Sequence, residues 1–277
     1  MGSLYTAAAA YLDARSHGGR CHLRIDDLDR PRERPGASGR ILRTLDAFGF
    51  EWDGPIVHQS ARTAAHHGAL EVLRALGRLY ACDCSRRERA SGDSVYPGTC
   101  RRRRDPIQGP HALRVRVDPV DLAIDDRIQG PFHRNLAATG DFIVRRRDGI
   151  VAYPLAVVVD DAALGVTDVV RGADLLDSTP AQRFLQTLLS LPTPRYAHLP
   201  VLTEPDGTKL AKSRRSVPLD DRIAGHQLAA VFDWLGLDPP AELARARVAE
   251  LWAWGIAHWD AKRVPRRSNL PLPAPDD

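Results

Sequence analysis

Lysine is nearly absent from this chain. Three occur, Lys209, Lys212 and Lys262, against 36 arginines. A compact ammonium and a planar guanidinium are not interchangeable. Two of the three lysines fall within four residues, so that segment marks a site that needs a point charge. Long apolar runs are also absent, and no stretch could span a bilayer as a helix. The apolar start, residues 1–10, has no basic region ahead of it and soon meets Asp13 and Arg15. It does not read as a signal peptide, and a cytoplasmic location is expected. No internal repeat is visible, which excludes solenoid architectures. Cysteine is scarce, with four in 277 residues, but Cys82, Cys84 and Cys100 lie close together. In a cytosolic chain such clustering favours metal over disulfide. Cys21 stands apart in an apolar stretch and reads as a small core residue.

What is present is ordinary for a globular protein: 43% hydrophobic and 27% charged residues. The length fits one large domain or two modest ones. The net charge of +4 permits a nucleic-acid partner without demanding one. Basic residues cluster at Arg86, Arg87 and Arg89, at Arg101 to Arg104, and at Arg145 to Arg147. Each cluster is either a phosphate-contacting patch or a solvated face.

Along the chain, residues 5–16 are Ala-rich and predict a helix stopped by Gly18 and Gly19. Residues 21–25 predict a short strand with Asp26, Asp27 and Asp29 at its carboxyl end, where open α/β sheets bind ligands. Ile41, Leu42, Leu45 and Phe48 have helical spacing, as do Leu70, Leu73, Leu76 and Leu79. From 80 to about 133 the pattern turns to short alternating segments, which predict strands in a small inserted module. The apolar run 155–159 fits helix or strand equally. Residues 168–170 predict a buried strand, 175–189 a helix, and the chain after 216 is helical to about 259. The Pro- and Arg-rich tail, 264–277, is expected to be poorly ordered.

Two constellations carry chemistry. Lys209-Leu-Ala-Lys212-Ser213 follows the turn-forming Glu204-Pro-Asp-Gly207. Two ammonium groups on a loop can meet the charge that develops as pyrophosphate leaves a triphosphate; an exposed basic loop is the plain alternative. The second is Cys82-x-Cys84 with Cys100 downstream. Zinc takes four tetrahedral ligands, mostly thiolates. Three cysteines leave one place to fill, and His111 is a candidate for it. A reduced, metal-free cluster remains the alternative.

Order and spacing together carry a resemblance. The lysine pentapeptide resembles the KMSKS loop of class I aminoacyl-tRNA synthetases. Leu23-Arg-Ile-Asp-Asp-Leu-Asp29 resembles the RIEDLD-type segment of glutamyl synthetases. Tyr153, Ala156 to Asp161, Gly165-Val-Thr167, Val170-Arg-Gly-Ala-Asp-Leu-Leu176 and Asp177-Ser-Thr-Pro180 follow in the same family's order. Only 64 residues follow Ser213, too few for the anticodon-binding part of a full glutamyl-tRNA synthetase. The chain thus resembles the glutamyl-Q tRNA(Asp) synthetases, the compact branch that lacks that part.

The resemblance implies an α/β fold: a Rossmann-like class I catalytic domain with an inserted zinc-binding module and a C-terminal helical part. It divides the chain into the first catalytic half (1–79), the insert (80–136), the second half with the lysine loop (137–215), and a helical subdomain with tail (216–277). It implies ATP, L-glutamate and tRNA(Asp) as partners, Mg2+ with the ATP, one structural Zn2+, no membrane, and a monomer. Catalytic roles fall on Lys212 and Lys209, and ATP contacts on Gly2, Ser3 and Lys212. Glutamate contacts fall on Asp26, Tyr153 and Arg171, where Arg171 can grip a carboxylate bidentately; the plain alternatives are an ion pair of Arg171 with a neighbour such as Asp174, and simple packing of Tyr153. The phenolic oxygen of Tyr96 becomes the fourth metal ligand beside Cys82, Cys84 and Cys100. Glutamate is activated to its adenylate and passed to the queuosine base of the anticodon. The alternatives are a fragment of a synthetase that charges tRNA(Glu), or a degenerate, non-catalytic tRNA-binding protein.

Three positions depart from the family pattern. Asp26 stands where Glu is usual, which shortens the carboxylate's reach by one methylene. Ala211 replaces a usual Ser. Met1-Gly2-Ser3-Leu4 takes up the pattern only from the second position of a His-x-Gly-Ser-Leu motif, so the first strand and the histidine are expected to be missing. Either translation begins further upstream or the gene has decayed; intact motifs elsewhere favour the first.

Overall fold

The computed structural model describes residues 1–29, 33–85, 95–103, 105–208 and 218–272. Its helices are α1 (Gly2–Ser16), α2 (Ala37–Ala47), α3 (Thr63–Ala75), α4 (Tyr153–Leu164), α5 (Thr179–Leu188), α6 (Ala224–Trp234) and α7 (Val248–His258). Its strands are β1 (Arg24–Ile25), β2 (Val57–His58), β3 (Leu79–Cys82), β4 (Ala112–Val115), β5 (Asp121–Asp126) and β6 (Gly130–Asn135). They continue with β7 (Ile143–Arg145), β8 (Asp168–Gly172), β9 (Arg195–Leu199), β10 (Val201–Thr203) and β11 (Asn269–Pro271).

Parallel pairing dominates around the cleft. β1 lies parallel to β2, with Arg24 beside Val57. β8 lies parallel to β9, and β9 to the end of β5, with β6 closing that sheet as an antiparallel edge. Separately, β3, β4 and β7 form an antiparallel sheet. Crossover helices and parallel strands define an α/β fold.

Local sequence explains most elements. α4 settles the ambiguous run 155–159 as helix: Pro154 sits in its first turn, and Gly165 ends it with φ of 69°. The 70–79 periodicity belongs to α3 only as far as Ala75, because Gly77 turns the chain and Leu79 opens β3. The tail departs from expectation. Residues 269–271 form β11, parallel to β10, with Leu270 beside Leu202. Backbone pairing with a strand far upstream outweighs local composition there.

Among the described residues two large apolar cores hold the fold, beside a small cluster of Tyr80, Cys82, Tyr96 and Cys100. One joins α1, α6 and α7 through Leu4, Leu12, Leu228, Phe232 and Trp252. The other joins α3, α4 and α5 to β4 and β7 through Leu73, Val115, Val144, Leu155 and Leu185. Small residues let α1 approach closely. A Cβ at Gly255 of α7 would stand 2.6 Å from the ring of Phe232 and 3.0 Å from Leu12.

Candidate active site

A cleft of about 950 Å³ opens between β1 and β8. Its walls are the first turns of α1 (Gly2, Ser3, Thr6), the end of β1 (Arg24, Asp26), the end of β8 (Arg171, Gly172) and the start of β10 (Val201, Leu202). α1 has no side-chain cap, so its first N–H groups and the positive end of its dipole face this space. A Cβ on Gly2 would meet nothing within 4 Å. The protein's own packing therefore does not require glycine there.

Asp26 and Arg171 meet in this cleft, with Gly2 and Ser3. Asp26 is half-exposed and accepts from Arg24 Nε at 2.7 Å. Arg24 Nη1 reaches Asp161 at 2.5 Å. Burial raises the Asp161 carboxyl above its ordinary range, with Arg24 and Arg171 opposing that rise. Asp26, Arg24 and Asp161 thus alternate acid and guanidinium, with Asp161 outside the cleft lining. Arg171 is buried. Its Nε donates to His198 Nε2 at 3.1 Å and its Nη2 to Thr179 Oγ1 at 2.9 Å. The Nε edge is engaged inside the protein, so a bidentate grip must use the terminal edge, Nη1 with Nη2. Tyr153 does not line this cleft; it sits at the start of α4 with 39% of its surface exposed.

Lys209, Lys212 and Ser213 lie outside the described residues. The chain enters that segment from β10 through a tight turn, in which Gly207 N–H donates to the Glu204 carbonyl at 2.9 Å. Arg86, Arg87, Arg89 and Arg104 also lie outside. The other clustered arginines are largely engaged: Arg103 pairs with Asp83, and Arg146 with Asp29 and Asp148. Arg101 donates to the Val117 carbonyl, and Arg147 to the Asp83 carbonyl.

The cysteine cluster has the geometry for a metal. The sulfurs of Cys82, Cys84 and Cys100 lie within 4.8 Å of one another. Ligands 2.3 Å from a tetrahedral zinc would stand about 3.8 Å apart, so the donor set fits. The Tyr96 hydroxyl is 3.5 Å from both Cys82 and Cys84, and it accepts from Cys100 N–H at 2.9 Å. His111 is exposed and turned to the Gly109 carbonyl. Arg114 donates to Cys82 Sγ at 3.3 Å, and its guanidinium lies 3.7 Å from the centre of the Tyr96 ring. Burial works to raise the Cys82 thiol, but hydrogen bonds from Tyr96 and Arg114 outweigh it and bring the group down to about 7.

Sequence reasoning missed Arg24, Asp161, Asp126 and His198. Apart from Asp26, which Arg24 meets two residues on, their partners are distant in the chain, so no local spacing reports them.

Parallel strands that present charged groups at their carboxyl ends, beside a helix N-terminus, define a nucleotide-using α/β domain. Residues 1–227 match the family described as tRNA synthetases class I (E and Q), catalytic domain. A glutamyl-Q tRNA(Asp) synthetase of Ectopseudomonas mendocina is 53% identical over 98% of this chain and 92% of its own length. One from Pseudomonas aeruginosa PAO1 is 51% identical over 98% of this chain and 92% of its own. Among solved structures, a glutamate-tRNA synthetase from Elizabethkingia anophelis superposes with a TM-score of 0.81 at 23% identity. That match covers 99% of this chain but 65% of the longer one, and it speaks for the fold alone. The chain has a class I tRNA synthetase catalytic domain, and within that class it belongs to the glutamyl-Q tRNA(Asp) synthetase family.

Proposed function

We propose that this chain activates glutamate with ATP and transfers it to queuosine in the anticodon of tRNA(Asp), as a monomer in the cytoplasm. The carrying observation is the convergence of Asp26, Arg171 and the α1 N-terminus in one cleft. It occurs in a chain about half identical to named relatives over nearly its full length.

In this reading the triphosphate lies against Gly2 and Ser3, where helix N–H groups favour anions. Asp26 accepts from the glutamate ammonium and the terminal edge of Arg171 donates to a carboxylate; the resemblance assigns a further hydroxyl contact to Tyr153, which lies outside the cleft lining. Most of the effect is positioning. The α-carboxylate oxygen attacks the α-phosphorus in line. A P–O bond forms as the bond to pyrophosphate breaks, and the electron pair leaves on pyrophosphate. Lys212, aided by Lys209, meets that charge. Mg2+ bound with ATP supplies further charge neutralisation on the phosphates. A queuosine hydroxyl then attacks the acyl carbon; an ester forms and AMP departs.

Cys82, Cys84, Tyr96 and Cys100 would hold one structural Zn2+, tying β3 to the segment around residue 100. Residues 1–79 and 137–215 form the two catalytic halves, 80–136 the insert and 216–277 the helical subdomain.

The test is acceptor choice. Glutamate should be incorporated into tRNA(Asp) carrying queuosine and not into the same tRNA with guanosine at that position. Esterification of the terminal ribose of tRNA(Glu) would overturn the reading in favour of a tRNA(Glu)-charging fragment. Binding of tRNA without glutamate-dependent pyrophosphate exchange would overturn it in favour of a non-catalytic module. Lys212→Ala should lower the exchange about 100- to 1,000-fold.

A further inference from the structure

Behind the cleft lies a buried chain of polar groups. Arg171, His198 and Asp126 come from the adjacent strands β8, β9 and β5. Arg171 and His198 are direct partners across the parallel pair. Asp126 is 2% exposed, His198 0%, Thr179 0% and Arg171 7%, so bulk solvent is kept from this chain.

The hydrogen bonds have one self-consistent reading. Asp126 Oδ1 accepts three backbone N–H groups, from Ile128 at 3.0 Å, Gln129 at 2.8 Å and His198 at 3.1 Å. Asp126 Oδ2 is left for His198 Nδ1 at 2.5 Å. A carboxylate only accepts, so Nδ1 carries the proton. Nε2 is then a bare lone pair that accepts from Arg171 Nε at 3.1 Å, with the Thr179 hydroxyl oxygen also 3.3 Å away. A doubly protonated imidazole would set a second N–H against that of Arg171.

We propose that Asp126 and His198 are positioning residues for substrate binding: they fix the imidazole tautomer that turns the terminal edge of Arg171 toward the cleft. Among the described residues Nη1 has no hydrogen-bond partner, while Nε is held by His198 and Nη2 by Thr179 and, more loosely at 3.5 Å, by the Leu175 carbonyl. A neutral acceptor has an advantage over a carboxylate here. It orients the guanidinium without cancelling its charge, so the charge stays available to a substrate carboxylate. The anion stands one imidazole further back. This inference rests on Arg171 as a glutamate contact.

The geometry selects the experiment. In Asp126→Asn the three backbone N–H groups hold the carbonyl oxygen on the Oδ1 side. The amide nitrogen must then face His198 Nδ1 and donate to it, which pushes the imidazole proton to Nε2 and against Arg171. Nitrogen NMR of His198 should show Nδ1–H in the native protein and Nε2–H in the variant. In glutamate-dependent ATP–pyrophosphate exchange, the KM for glutamate should rise about 10- to 100-fold, with the KM for ATP unchanged within about twofold. His198→Gln, which keeps an acceptor near the Nε2 position, should retain more glutamate affinity than His198→Leu.

A native imidazole protonated on Nε2, or on both nitrogens, overturns the proposal without any variant. So does a tautomer shift in Asp126→Asn that leaves the KM for glutamate where it was. Arg171→Ala with unchanged KM for glutamate would defeat the underlying assignment of Arg171 instead, which separates the two failures.

Discussion

Single residues set the charge pattern of the cleft, and Asp26 is the most informative. Its carboxylate meets Arg24 and faces the space that Arg171 faces from the opposite strand. Asp26→Asn removes the charge while keeping the shape. A charge-assisted hydrogen bond contributes roughly 1.5–3 kcal/mol, which corresponds to a rise in the KM for glutamate of about 10- to 100-fold. Steady-state exchange kinetics check this. A KM within twofold of the native value would remove Asp26 from the substrate's contacts. Asp26, Arg171 and the three cysteines were legible because their motifs are contiguous or closely spaced. Arg24 was visible as a letter inside one of those motifs, but its role was not. Its second partner, Asp161, lies 137 residues away. The relay from Asp126 to His198 spans 72 residues and depends on which strands are neighbours.

At the scale of elements, one buried carboxylate joins α4 to α3 and to the short 3-10 turn Gln59–Arg62 ahead of it. Asp160 of α4 is fully buried and accepts from Gln59 at 2.9 Å, Arg62 at 2.5 Å and His66 at 3.0 Å. Burial alone would raise this carboxyl, but His66, Arg62 and Gln59 outweigh it and hold the group below its ordinary range. A carboxylate with a depressed native pKa stabilises the fold above its unfolded pKa, and that stabilisation fades as pH falls through the native pKa. Breaking such a buried pair costs about 3–5 kcal/mol. Urea unfolding should therefore show Asp160→Asn less stable by about 3 kcal/mol at pH 7, with the gap narrowing below about pH 4. A gap independent of pH would contradict this account. Elements were read with mixed success for identifiable reasons. The Pro154 start and the Gly165 stop of α4 were available as end signals, and they decide what periodicity left open. β11 was not readable at all, because a three-residue strand exists only through its partner.

For the whole molecule, the C-terminal helices support the cleft from behind. Trp252 of α7 donates to the Phe48 carbonyl at 2.8 Å and packs edge-on against Tyr11, Phe50 and Phe232. α1, whose first turn lines the cleft, rests on this cluster. Trp252→Ala should cost about 3–5 kcal/mol. Because α1 loses its backing, the KM for ATP should rise well beyond the change in the KM for glutamate; equal changes would show that α1 is held independently of α7. The pairing of β11 with β10 ties distant parts of the chain together. The last described strand is stapled to the root of the segment that carries Lys209 and Lys212. Load applied from the C-terminal side, by a fusion partner or a surface tether, is therefore transmitted to the turn at residues 204–208. Immobilisation at a site remote from β11 would leave that turn unburdened.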